Sequence, residues 1–327
     1  MPVIFAYMFV VFIWATTPLA IQWSNSSLDF IAAVTLRLLL ALALCVVSMW
    51  ALRFPLVKSR RDWLAFVAGA IGLYPNMLIV YWSAQYLSSG LMAVLLGLYP
   101  FAVGFFSLLL LKENVFNPMR IIALFIALLG LAIINLDQIA LGSDATYGVL
   151  GMASSSLLFA LSTVWLKALG GAVNPLRQST GMLLLASPAF LLTWFFLDGQ
   201  VPQQIDMKSM LGVAYLAIAG SVLGYTLFFY VLRHCSIASV SLIPLITPVL
   251  ALSIGAVVAR EQVSLLTLAG ACSVLLALML YQNIFGLLFN AITRSRLAGR
   301  VPGTVPGTEV SKRVRVADEV VPGPVAE

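Results

Sequence analysis

A segment that returns 148 residues later constrains this chain more than any other feature, because it recurs within a sequence almost free of charge. Leu98-Tyr99-Pro100 ends thirteen residues before Glu113 of Lys112-Glu113, and Ile246-Thr247-Pro248 ends thirteen residues before Glu261 of Arg260-Glu261. The alignment needs no gap, and Val115 and Val263 still match beyond it. A duplication in apolar sequence implies two copies of one helical unit packed around shared space, not two independent soluble domains.

The composition agrees. Of the 327 residues, 62% are hydrophobic and 9% charged, with a mean hydropathy of +1.05, far from the balance of a soluble domain. Each crossing of the hydrocarbon takes about 20 residues, and the apolar runs predict ten crossings, near 3–23, 29–52, 63–86, 90–111, 118–136, 147–169, 175–197, 209–233, 238–259 and 264–288. Between them gather turn formers and charges, such as Asn25-Ser26-Ser27, Arg53 to Asp62 and Asp137 to Thr146, because lipid neither satisfies irregular backbone nor solvates ions. The first run starts at Val3 without a basic flank or small-residue cleavage site, which reads as a retained span rather than a removed signal peptide. Residues 289–327, with Pro302-Gly303-Thr304 repeated as Pro306-Gly307-Thr308, read as a disordered cytoplasmic tail.

Charge asymmetry orients the bundle. With the N-terminus inside, cytoplasmic connections carry Arg53, Lys58, Arg60, Arg61, Lys112, Arg120, Lys167, Arg177 and Arg233, against only Lys208 and Arg260 outside. Basic residues in short loops stay inside, so both termini are expected in the cytoplasm and the protein in the cytoplasmic membrane. The net charge of +6 then belongs to inward loops facing an anionic leaflet and not to nucleic-acid binding. The offset of 148 residues spans five crossings. An odd number turns the second copy over, giving two inverted five-helix repeats, 1–137 and 138–288, about an axis in the membrane plane.

Trp14-Ala15-Thr16-Thr17-Pro18 in the first span, Arg37 before Leu38-Leu39-Leu40 in the second, and the paired proline–glutamate spacing of the fourth and ninth together resemble the EamA-type carriers of the drug/metabolite transporter superfamily, over about residues 3–288. Ala15 departs from the usual Trp-Gly. The resemblance implies ten helices around a central cavity lined mainly by the first, third, fourth, sixth, eighth and ninth. It also implies transport of small metabolites, often amino acids or related compounds, commonly outward, by alternating access.

Polar groups within apolar runs need partners, so they face the bundle interior or a wet cavity. On that ground Trp14, Thr17, Asn76, Tyr99, Ser162 and Tyr225 are candidate substrate contacts; interhelical hydrogen bonding is the alternative. Arg37 is the formal charge expected deepest in a span, holding a substrate anion bidentately or else fixing helix packing. Pro100 and Pro248, equivalent in the repeat, are candidate gate hinges, or static kinks. Cys45, Cys235 and Cys272 have no metal-ligand spacing and read as small core residues. No convergent acids, nucleophile–base pair or metal cluster is legible, so neither an enzyme nor a metal or cofactor site is expected. The expected partners are a small metabolite and the bilayer. A polytopic membrane protein with a structural or signalling role is the competing reading.

Overall fold

The computed structural model describes residues 2–113, 117–140, 144–170, 173–199, 204–241, 243–258 and 264–281. The expectations for Val115, Arg260-Glu261, Val263, residues 282–288 and the 289–327 tail lie outside the described residues.

Among the described residues the regular structure is helical, with no strand. In chain order the helices are α1 (Val3–Ser24), α2 (Phe30–Ala51), α3 (Arg60–Ile71), α4 (Asn76–Ser83), α5 (Ser89–Leu95), α6 (Tyr99–Phe106), α7 (Pro118–Ala140), α8 (Ala145–Ala168), α9 (Pro175–Leu197), α10 (Met207–Tyr215), α11 (Gly224–His234), α12 (Ile237–Val240), α13 (Ile243–Val258) and α14 (Leu265–Tyr281). A 3-10 turn, Leu96–Leu98, joins α5 to α6; π-helical turns follow at Ser107–Leu111 and between α10 and α11 at Leu216–Leu223. Seven of the continuous or joined helices are long and apolar enough to cross a membrane, and three shorter apolar helices, Pro118–Ile134, Thr247–Val258 and Leu265–Tyr281, accompany them.

Local chemistry sets the ends. Asp29 accepts from the Ile31 N–H at 2.8 Å, and Asn174 accepts from Leu176 N–H at 3.0 Å with Pro175 opening α9; each satisfies donors that have no partner in the first turn. Ser59 and Asp62 form a reciprocal capping box at α3. Arg53 (φ 52°) and Lys112 (φ 56°) leave the helical path in the left-handed region, closing α2 and the α6 segment.

The structure adds internal detail to several expected spans. The third, expected as continuous over 63–86, begins at Arg60 and is broken between Ile71 and Asn76 around Pro75, which has no N–H to continue a helix. The fourth, eighth and ninth contain irregular turns or breaks instead of a single α-helix. Helix α7 continues to Ala140, past the expected end at Asp137.

The bundle is apolar outside. Phe5, Phe9, Phe12, Phe125, Phe195 and Phe196 are exposed, while Ser155, Ser156, Thr163, Ser179 and Thr180 are buried between helices. Thr163 and Thr180 return their hydroxyls to Phe159 O and Leu176 O, each at 2.8 Å, so these two threonines pack interhelically without stranding a donor. Helix α7 packs on α14, α2 on α9, and α5 on α13. Helix α1 lies against α10, α11 and α13, while α8 lies against α3, α4 and α6.

Candidate binding cavity

The breaks surround a cavity of about 80 Å³, counted as space for water centres, several times what one water needs. Trp14, Thr17, Pro18 and Ile21 of α1, Arg37 of α2, and Asn76, Met77 and Val80 of α4 line it. Met92 of α5, Leu96 and Tyr99 of the next segment, Met152, Ser155 and Phe159 of α8, Gly220, Tyr225 of α11 and Thr247 of α13 complete the wall. Six of the residues singled out in the sequence therefore meet here: Trp14, Thr17, Arg37, Asn76, Tyr99 and Tyr225. Ser162 does not. It is buried beside Gly72, where a methyl would stand 2.7 Å from its hydroxyl.

Arg37, eight residues into α2, is only 2% exposed. Its Nε donates to Ser221 Oγ at 3.0 Å and its Nη1 to Tyr81 OH at 3.4 Å, and its guanidinium lies 5.8 Å from the Tyr81 ring centroid. The π-helical turn holds Ser221 and Gly220 on this side, and a methyl at Gly220 would stand 3.1 Å from Nη2. Glycine leaves that nitrogen room. Among the described residues Nη2 has no hydrogen-bond partner, and no carboxylate pairs with the guanidinium.

Asn76 bridges the break in the third span, its Nδ2 donating to Gly72 O at 2.9 Å. Among the described residues its Oδ1 is buried without a hydrogen-bond partner, as is the Tyr99 hydroxyl, which lies beside the Thr163 hydroxyl that donates to Phe159 O. Thr17 likewise donates to Ile13 O at 2.7 Å, so it offers the cavity mainly its methyl and an acceptor.

Aromatic rings form the opposite wall. Trp14 meets Phe159 and Phe228 with centroids 5.5 and 5.1 Å apart, and Phe159 also meets Tyr99 at 5.2 Å and Phe228 at 5.4 Å. Phe159 lines the cavity with Phe228 packed against it; Phe159 was not legible as a site residue, since an aromatic in an apolar helix gives no sign of which face it takes. Thr247 did carry a signal: it stands where Tyr99 stands in the other repeat, immediately before its proline. Pro100 falls in the first turn of α6, just after the 3-10 turn, whereas Pro248 lies inside α13.

A second polar cluster lies at one end of the bundle. Asp62 accepts from Arg177 and from the Lys58 N–H at 2.7 Å, while Arg177 also donates to Leu56 O at 3.0 and 3.1 Å. Both side chains are buried. Sequence analysis placed them with the loop charges, because partnership across 115 residues has no local signature. Among the described residues no group of histidine, cysteine or acidic side chains is arranged for a metal ion.

Long apolar helices and a lipid-like exterior define a polytopic helical membrane protein, and its interior holds a cavity with one cation on the wall. The EamA-like transporter family matches residues 1–136 and again 146–282, and the chain belongs to that family. An uncharacterized transporter of Archaeoglobus fulgidus is 26% identical over 269 residues, covering 81% of this chain and 93% of the relative. A probable amino-acid metabolite efflux pump of Salmonella typhimurium is 34% identical over 115 residues, 34% of this chain and 37% of that protein. A crystal structure aligns with a TM-score of 0.61 at 15% identity, covering 86% of this chain and 97% of its own; that likeness concerns the fold. The protein is thus an integral multi-pass membrane protein of a transporter family, not of an enzyme family.

Proposed function

We propose that the protein carries a small metabolite, an amino acid or a related compound, outward across the cytoplasmic membrane by alternating access. In this reading ten transmembrane helices form two inverted repeats, 1–137 and 138–288, with both termini inside. Trp14, Thr17, Arg37, Asn76, Tyr99 and Tyr225 contact the substrate, Ser162 supports the wall from behind, and Pro100 and Pro248 serve as hinges.

The observation that carries it is a symmetry of packing. Take the crossings in order as α1, α2, α3–α4, α5–α6, α7, α8, α9, α10–α11, α12–α13 and α14, and advance each by five. The contact of α1 with α13 becomes that of α8 with α6; α1 with α10 and α11 becomes α8 with α3 and α4; and α2 with the turn at Leu216–Leu223 becomes α9 with α3. The pairs α2–α9, α5–α13 and α7–α14 map onto themselves. Five crossings per repeat turn the second copy over, and such halves rocking about a midplane site open it to one side at a time. The irregular segments coincide too: Gly72, at the end of α3, and Gly220, in the π-helical turn, are 148 residues apart, and Gly220 lines the cavity. The two separate family matches, and the likeness to a probable amino-acid metabolite efflux pump of Salmonella, support the same reading.

The test is an untargeted comparison of metabolites retained by cells with and without the protein, followed by reconstitution with each compound that differs. Depletion of specific small metabolites from expressing cells, with saturable flux in vesicles, is the expected result. Identical metabolite profiles would reject the carrier.

A further inference from the structure

We propose that the cargo is a small organic monoanion with an apolar body, its carboxylate bound by Arg37, and that the membrane potential drives its exit without a coupled proton. The inference rests on the carrier reading above and names the substrate class and driving force for the same cavity.

The argument is one of charge. Among the described residues Arg37 is the only formally charged one on the cavity wall, which holds no aspartate, glutamate or histidine. Its Nε and Nη1 bind hydroxyls and its Nη2 is unpartnered among the described residues. A buried guanidinium with only neutral partners retains most of its desolvation penalty, and a carboxylate presented to its fork neutralises it through charge-assisted hydrogen bonds. A zwitterion would cancel that charge and add another, because its ammonium finds no anionic group on the wall. The remaining orphans, Asn76 Oδ1 and the Tyr99 hydroxyl, are neutral and suit a hydroxyl or carbonyl beside the carboxylate. The rings of Trp14, Phe159 and Tyr99 then cover the apolar body.

Transport energetics follow from the same inventory. With no carboxylate or imidazole on the wall among the described residues, no side chain that titrates near neutral pH is there to take up or release a proton during the cycle. The cargo crosses carrying one negative charge, and an inside-negative potential pushes it outward. For a single charge that shifts the equilibrium outside-to-inside ratio by about 50-fold per 100 mV.

The full chain, reconstituted in vesicles with an imposed potassium-diffusion potential, decides this with two probes of equal size. They are 3-phenyllactate, a hydroxy monoanion, and phenylalanine, which differs by an ammonium in place of the hydroxyl. The expected result is saturable phenyllactate efflux whose final gradient grows about 50-fold per 100 mV of inside-negative potential, is indifferent to an imposed pH gradient, and exceeds phenylalanine efflux at least tenfold. Arg37→Gln should abolish the flux; Arg37→Lys should weaken apparent affinity about tenfold while keeping the voltage dependence. Because the voltage response is read on the unsubstituted protein, misfolding of a variant does not rescue the idea. Phenyllactate flux that ignores the potential, or phenylalanine carried in preference, overturns the inference and leaves a carrier. Passage of neither probe also overturns it, while the cellular metabolite comparison judges the carrier reading separately.

Discussion

Gly130 and Gly270 face each other backbone to backbone where α7 crosses α14: a methyl on either would stand 2.7 Å from the other's carbonyl oxygen. Small residues at such crossings let helices approach closely enough for dispersion to hold them in lipid, where no hydrophobic driving force operates between helices. Gly270→Val should therefore lower stability by about 1–3 kcal/mol through overpacking, read as a lower unfolding midpoint in detergent. Neither helix lines the cavity, so substrate affinity of the folded fraction should be unchanged. A Gly270→Val protein as stable as its parent would show that the two helices separate at no cost.

Tyr99 separates binding from folding. Its hydroxyl is buried without a partner, so Tyr99→Phe removes an unsatisfied polar group and should leave stability equal or slightly higher. If the hydroxyl serves the cargo, the same change weakens apparent affinity by about tenfold, the equivalent of one hydrogen bond. Tyr99→Ala and Trp14→Ala, which also remove aromatic area, should impair flux further while insertion persists. Unaltered transport in Tyr99→Phe, Tyr99→Ala and Trp14→Ala, all correctly folded, would take this wall out of the site.

Which parts of this were legible in the sequence follows from how local each signal is. The ends of α1, α2, α8 and α9 lie within two residues of their expected positions, because capping residues and apolar length act over a few positions. Pro75 and Pro100 marked places where a span can kink, but the form each irregularity takes, a break at 72–75 and a 3-10 turn at 96–98, depends on what packs there. Depth in an apolar run selected Arg37, Asn76 and Tyr99 for the cavity wall, and it also selected Ser162, which packs behind the wall at Gly72. Depth says that a polar group needs company; only tertiary structure says whether the company is a glycine, a hydroxyl such as Ser221, or a void.

The Asp62–Arg177 pair should behave as a buried ion pair, not as loop charge. Asp62→Asn leaves the Arg177 guanidinium with Leu56 O but without its carboxylate, a loss of about 3 kcal/mol on the scale of broken buried pairs. Replacing both, Asp62→Leu with Arg177→Leu, should recover part of it, since no charge is then stranded. Chemical unfolding of Asp62→Leu, Arg177→Leu and the double variant checks this through the cycle. Strict additivity would mean that the pair contributes no coupling.

Orientation is testable at two exposed positions, Lys58 and Asp144. In a background with Cys45, Cys235 and Cys272 replaced, Asp144→Cys should react with an impermeant maleimide added to intact cells. Lys58→Cys should react only after permeabilisation. The expectation comes from basic residues being retained in cytoplasmic loops. The reverse labelling pattern would invert the topology and, with it, the outward direction proposed for transport.

Asp206, which caps α10 from the connection before it, should impose a pH dependence of its own. The backbone N–H of Ser209 at 2.6 Å, then the hydroxyl of Ser26 at 2.8 Å, hold its carboxyl down to about 2. An unfolded chain has it near 4. The folded value is the lower one, so the contribution to stability is complete above about pH 4 and disappears as pH falls from there toward 2. Asp206→Asn keeps a capping oxygen but cannot ionise. The unfolding midpoint of the variant should lie below that of the parent at pH 7, and the difference should narrow at pH 3. A difference of the same size at both pH values would show that the carboxylate charge plays no part in the cap.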